Sequence, residues 1–255
     1  MQTTAITIRG VEFGVGMPKI CIPIVARTKE ELLNQARDIC RKDPDCVELR
    51  IDWYEDVNRQ EQVLDLLRQL RALLGNRVLL CTFRTDREGG KSAISCDSYK
   101  ALYRMVCQSG YVDLIDVEAY MEEGLLEDVV RMAHKADVRV VASNHDFQAT
   151  PPEEELIKRL QFMDLAGADF PKLAVTPNRE EDVLTLMSAT LQYRRLGGEK
   201  PVITMSMGRT GTISRLAGEV FGSAVTFATA GQASAPGQIP VDEVRQALRI
   251  FHAYR

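Results

Sequence analysis

Eight short apolar, strand-like runs recur along the chain, at 19–25, 46–52, 77–84, 114–118, 139–145, 170–175, 202–207 and 225–229. Their starts are 23 to 37 residues apart, room each time for a loop, a helix and a loop. Parallel strands need crossovers of that length, whereas antiparallel neighbours are joined by tight turns. The stretches between the runs carry a helical period. At 28–42 a Thr-x-x-Glu capping box (Thr28, Glu31) precedes Leu32, Ala36 and Ile39 on one face. At 60–74 leucines recur at Leu64, Leu67, Leu70 and Leu74, with Gly75 as a stop signal. Helices are further expected at 98–108, 125–135, 153–166, 180–196, 213–220 and 241–252. Eight strands alternating with eight helices predict a closed parallel (β/α)₈ TIM barrel, and 255 residues suit one such domain. Residues 1–17, which alternate around Gly10, are expected to form a β-hairpin ahead of the barrel.

Several function classes are set aside by composition. The net charge is −4 and there is no basic tract, so nucleic acid and anionic membrane are poor partners. The N-terminal sequence MQTTAITIRG lacks a cationic segment followed by an apolar run, no stretch reaches membrane-span length, and a cytoplasmic location is expected. The six cysteines form no C-x-x-C pair and only three histidines are present. Free buried thiols are therefore expected, with neither a metal site nor a cofactor. No P-loop, dinucleotide fingerprint or G-x-S-x-G is present.

The strand alternation sorts side chains into two faces. In CVELRID, Val47, Leu49 and Ile51 suit the helix-facing side, which leaves Glu48, Arg50 and Asp52 for the barrel interior. The same logic sends Thr82 and Arg84, Asp116 and Glu118, Ser143 and His145, and Lys172 and Ala174 inward, while Met205 and Met207 share one face of the seventh strand. Charged groups thus converge from five successive strands. Desolvating so many for structure alone is unfavourable, and barrel active sites lie at strand C-terminal ends. A histidine and an inward lysine on consecutive strands point to amine catalysis with a neighbouring acid–base. The alternative for Lys172 is an ion pair with Glu48 or Glu118. Because a lysine must be neutral to attack a carbonyl, those two readings oppose each other.

Taken in order, the segments ELRID, TFRTDREGG, VDLIDVEAY, SNHDF, GADFPKLAV, ITMSMGRTG, ISRLAGEVFGSA and SAPGQI resemble type I 3-dehydroquinate dehydratase across nearly the full length. The resemblance implies dehydration of 3-dehydroquinate to 3-dehydroshikimate, in the shikimate pathway, by syn elimination through a lysine Schiff base. It implies no cofactor, and a homodimer. It assigns imine formation to Lys172, general acid/base work to His145 and orientation of that histidine to Glu88. It gives Glu48, Arg50, Arg84, Arg215, Ser234 and Gln238 to substrate binding. By its own composition the turn at 234–240, after the eighth strand, reads either as an ordinary loop or as a lid. Two departures stand out: Pro23 occupies a position where some members have a serine, and Gly208-Arg209 stands where serine-lysine is common. Arg209 is expected to sit in solvent. A Schiff-base aldolase and a non-catalytic binder of hydroxy acids remain the competing readings of the same residues.

Overall fold

The computed structural model describes residues 4–231 and 235–254. Eight parallel strands follow one another around a barrel: β3 (Lys19–Ile24), β4 (Cys46–Arg50), β5 (Val78–Thr82), β6 (Leu114–Glu118), β7 (Arg139–Asp146), β8 (Phe170–Val175), β9 (Ile203–Ser206) and β10 (Val225–Thr229). Each strand from β3 to β8 pairs with the next, and β10 pairs with β3. The ring closes at the entrance to β9 and β10. There the Ala224 N–H donates to the Val202 carbonyl at 2.7 Å and the Thr204 N–H to Ser223 Oγ at 3.0 Å. This is the expected (β/α)₈ barrel. The hairpin is also present, as antiparallel β1 (Ile6–Ile8) and β2 (Val11–Phe13). A short β11 (Ile239–Pro240) adds to the end of β10.

The outer layer comprises α1 (Lys29–Cys40), α2 (Gln60–Leu74), α3 (Cys96–Gln108), α4 (Leu125–Lys135), α5 (Glu153–Leu165), α6 (Glu180–Arg195), α7 (Thr212–Leu216), α8 (Gly218–Phe221) and α9 (Val241–Ala253). The Thr28/Glu31 capping box opens α1, and Gly75 ends α2. Two expectations are corrected. The buried face of α2 is Val63, Leu66, Leu67, Leu70 and Leu74, so Leu64 falls off it. The single helix expected at 213–220 is two short ones. The Arg215 carbonyl accepts from Thr226 Oγ1 of β10 at 2.8 Å. Gly218 lies so close to Pro18 and Ser223 that a Cβ would meet the Ser223 carbonyl oxygen at 2.7 Å.

Inside the barrel the two ends differ. Toward the strand N-termini, Cys21, Cys46, Val78, Leu80, Leu114, Val141, Phe170 and Ile203 form an apolar plug, closed from below by Ile8 and Phe13 of the hairpin. The Phe13 and Phe170 rings meet edge to face with centroids 5.4 Å apart. Burying one such side chain contributes about 1.5–3 kcal/mol. Aspartates just ahead of alternate strands stitch this end together. Asp45, Asp113 and Asp169 accept the backbone N–H of Ile20, Leu79 and Val140, each at 2.8 Å. Asp113 also receives Arg9 of the hairpin turn at 2.6 Å. The helix-facing shell contains Val47, Leu49, Ile51, Leu79 and Cys81, as alternation requires. With one end filled and sealed, the charged residues are left to the other.

Candidate active site

The strand C-terminal ends surround a cavity of about 150 Å³ lined by Glu48, Arg50, Arg84, Glu88, His145, Lys172, Arg215 and Gln238, with apolar walls from Ala174, Met205, Met207, Phe147 and Phe227. Eight of the nine residues expected at the site therefore meet around one space. The ninth, Ser234, lies outside the described residues. A groove of about 690 Å³ outside the barrel, between α2 and α3, is larger. None of its residues is buried, so it lacks the desolvated polar groups that give a site its chemistry.

Lys172 stands inside β8 and is 3% exposed. Its Nζ donates to Asp116 Oδ2 at 2.8 Å and lies 4.9 Å from the Phe227 ring centre. The ion-pair partner is thus Asp116 on β6, a correction to the expected Glu48 or Glu118. Glu48 instead accepts from Thr82 Oγ1 at 2.8 Å, and Glu118 is held by the Thr85 N–H at 2.8 Å and its hydroxyl at 2.7 Å. Asp116 is fully buried and also receives Arg84 Nη2 at 2.6 Å and Ser143 Oγ at 2.5 Å. Burial works to protonate Asp116, but the charges of Arg84 and Lys172 outweigh it and hold the carboxyl below its usual range.

Arg84 extends this network, with Nη1 donating to Ser143 Oγ at 2.9 Å and Glu118 Oε1 at 3.1 Å. Asp52, expected on the strand, lies in the 3₁₀ turn that follows it and takes Arg50 in a two-pronged ion pair at 2.8 and 2.9 Å. These arginines organise carboxylates as well as facing the cavity.

His145 leaves the end of β7 with Nδ1 2.8 Å from Glu88 Oε2, which also accepts the His145 backbone N–H at 3.0 Å. Glu88 reaches it from the loop after β5. That loop depends on its two glycines: a Cβ on Gly90 would lie 1.8 Å from the Arg84 carbonyl oxygen, and Gly89, at φ +80°, would strike the Phe147 ring. Burial lowers the His145 pKa well below its ordinary value, and Arg84 and Lys172 push the same way. Burial also pushes the Glu88 carboxyl up to about 7, against the opposing charge of Arg84. The pair therefore holds a neutral imidazole beside a carboxyl that titrates near neutrality.

Arg215, on α7, differs from the other arginines. It is 3% exposed, yet among the described residues no carboxylate pairs with it. Its Nη2 donates to the Pro236 carbonyl at 3.0 Å, while its buried Nε has no partner. Burial draws its pKa down to about 10, which leaves it charged at neutral pH. Such a group is suited to an anion that arrives with the substrate. Arg209 is exposed, as expected, and Pro23 lies in β3 beside Glu48 in the sheet register.

The family model for type I 3-dehydroquinase matches residues 20–255. The chain belongs to this family. It is 46% identical over 247 residues to a 3-dehydroquinate dehydratase of Bacillus subtilis, covering 97% of each chain. It superposes with a TM-score of 0.96 on the type I 3-dehydroquinate dehydratase of Clostridium difficile, at 42% identity and covering 99% of this chain and 100% of the other. The 3-dehydroquinate dehydratase of Geobacillus kaustophilus superposes with a TM-score of 0.95, at 42% identity and covering 98% and 97%.

Sequence reasoning singled out Asp116 only as an inward carboxylate and missed it as the partner of Lys172. It missed Asn144 and Phe227 altogether. Asn144 lies on the helix-facing side by alternation, yet its Nδ2 donates to Glu88 Oε1 at 3.0 Å.

Proposed function

We propose that this cavity dehydrates 3-dehydroquinate to 3-dehydroshikimate, with Lys172 as the imine-forming amine, His145 as the proton carrier and Glu88 as its orienting partner. The observation that carries this reading is an amine and an imidazole on adjacent strands sharing one cavity with the Arg215 guanidinium, with which no carboxylate among the described residues pairs. The substrate carboxylate would dock on Arg215, whose planar fork can bind it with two hydrogen bonds. Glu48, Arg50 and Gln238 line the cavity and would meet the ring hydroxyls. Ser234 is assigned to the same task by family resemblance alone.

The steps then follow from the positions of the groups. Lys172 gives its ammonium proton to His145 and adds to the C3 ketone; that proton then returns to the carbinolamine hydroxyl, which leaves as water, giving a cationic iminium that makes the C2 protons acidic. Asp116 stays anionic beside that nitrogen, so the iminium has a counter-charge in a buried site. With Nδ1 engaged by Glu88, Nε2 of the neutral His145 takes the C2 proton and leaves an enamine. The same imidazolium returns a proton to the C1 hydroxyl, which departs as water as the C1=C2 bond forms. One imidazole serving one face accounts for syn elimination. Hydrolysis of the conjugated iminium releases product and restores the amine.

Incubation with 3-dehydroquinate should generate the ultraviolet absorbance of a conjugated enone, and sugar phosphates should not be cleaved. Aldol cleavage without enone formation would overturn the assignment. We also infer a cytoplasmic homodimer. Exposed Ile213, Val220 and Ile250 on the mutually packed α7, α8 and α9 supply apolar surface for such an interface. Light scattering during size-exclusion chromatography tests this, and a monomeric mass would rule it out.

A further inference from the structure

We infer that Asn144 and Arg159 are positioning residues that set which nitrogen of the His145 ring carries the proton, acting through Glu88. The inference rests on the reading of His145 as proton carrier. A continuous hydrogen-bonded chain carries it. Arg159 Nη1, on α5, donates to Asn144 Oδ1 at 2.9 Å, and Asn144 Nδ2 donates to Glu88 Oε1 at 3.0 Å. Glu88 Oε2 meets His145 Nδ1 at 2.8 Å. Arg159 is itself anchored by Glu155 Oε1 at 2.9 Å.

The direction of every bond in this chain follows from donor chemistry. A guanidinium only donates, so the carbonyl oxygen of the Asn144 amide faces Arg159 and its NH₂ group faces Glu88. That NH₂ can only donate, so Glu88 Oε1 must accept. Oε2 already accepts the His145 backbone N–H at 3.0 Å. An ionised Glu88 satisfies all these donors, and Nδ1 must then carry the ring proton. Nε2 is left as the unprotonated nitrogen available to the cavity.

Protonation of Glu88 would reverse the arrangement. Its hydroxyl would donate to Nδ1, the ring proton would move to Nε2, and that nitrogen could no longer take a proton from substrate. The surroundings make this a close contest. Glu88 faces the Arg84 cation, the Glu118 and Asp116 carboxylates of β6 and the Tyr120 hydroxyl, and His145 also faces Lys172 and Arg50. Burial drives the Glu88 carboxyl up, whereas the Asn144 hydrogen bond draws it down. Removing the Asn144 donor should let protonation win at a higher pH. Removing Arg159 frees the amide to turn its oxygen toward Glu88, which should act in the same direction.

The test is the pH dependence of kcat for the parent, Asn144→Leu, Arg159→Met, Arg159→Lys, Glu88→Gln and the Asn144→Leu/Glu88→Gln double variant. Asn144→Leu should move the acid-side limb alkaline by roughly 1 pH unit, a tenfold loss at a fixed acid-side pH. Alkaline-side kcat and KM should stay within about twofold, on the same scale. Arg159→Met should give a smaller shift in the same direction, which Arg159→Lys reverses. In the Glu88→Gln background Asn144→Leu should shift nothing further. Ring ¹⁵N shifts of His145 should report more Nε2–H in Asn144→Leu at neutral pH. An unmoved limb in Asn144→Leu, beside a lost limb in Glu88→Gln, overturns the relay and leaves the proton-carrier reading standing. A pH-independent drop in kcat also overturns it, because a purely structural role predicts that. Unchanged turnover in both His145→Ala and Glu88→Gln overturns the relay and the proton-carrier reading together.

Discussion

Lys172 Nζ donates to Asp116 Oδ2 at 2.8 Å, and neither residue is more than 3% exposed. The same carboxylate accepts Arg84 and Ser143, so two cations and a hydroxyl converge on one aspartate. Lys172 is thereby fixed in direction within the cavity that His145 also lines. A permanent negative charge at this point suits a nitrogen that is cationic as ammonium and again as iminium.

Asp116→Asn leaves Arg84 and Lys172 buried without their shared counter-charge, and breaking buried pairs of this kind costs about 3–5 kcal/mol. Urea denaturation at neutral pH should show a loss on that scale. An unchanged midpoint would mean that the network contributes nothing to folding.

The sign of its pH dependence follows from the direction of the Asp116 shift. A carboxyl held below its usual range in the fold contributes stability that is fully present above the unfolded value, near pH 4. The contribution is lost as pH falls from there through the folded value. Asp116→Asn should therefore flatten the acid side of the stability curve and leave its alkaline side parallel to the parent. A variant curve parallel to the parent's from pH 7 down to acid unfolding would contradict this.

Arg215→Met should separate binding from folding. The parent buries this guanidinium with its Nε unpartnered and no carboxylate beside it among the described residues, so an apolar replacement should raise the unliganded melting temperature. Losing charge-assisted hydrogen bonds to the substrate carboxylate, worth about 1.5–3 kcal/mol, should raise KM by roughly 10–100-fold. A lower melting temperature with unchanged KM would assign Arg215 a structural role.

His145→Ala should cut kcat by at least ~10³, since positioned proton transfer contributes 10²–10⁴-fold and one ring serves two steps here. Imine formation should survive, and the trapped adduct should keep the mass of unreacted substrate, with its C1 hydroxyl still in place. Glu88→Gln removes the titrating carboxyl and should abolish the activity limb near pH 7 that the raised Glu88 carboxyl sets. Turnover by His145→Ala within about tenfold of the parent would remove the imidazole from the mechanism.

Most of the barrel could be read from periodicity because burial imposes it. Alternation along β4 to β8 put Glu48, Arg50, Arg84, Asp116, Glu118, Ser143, His145 and Lys172 on the inner side, where they are found. Features set by loops were not legible in this way. Nothing in strand period brings Glu88 from the end of β5 across to β7, because that depends on a turn closed at Gly89-Gly90. Asn144 reads as helix-facing, and only the folded turn reveals that Glu88 comes out to meet it. The partner of Lys172 could not be chosen from four inward carboxylates without the register, which sets Ser143 opposite Lys172 and Val141 opposite Asp116. The family resemblance reached Glu88 and Arg215 where periodicity could not.

Lys172 is assigned as the nucleophile, and reductive trapping tests that assignment most directly. The protein is incubated with 3-dehydroquinate and borohydride, digested, and mapped by mass spectrometry. One ligand mass should appear on the peptide carrying Lys172 and be absent from Lys172→Met. An adduct on a different lysine, or full turnover by Lys172→Met, would contradict the account.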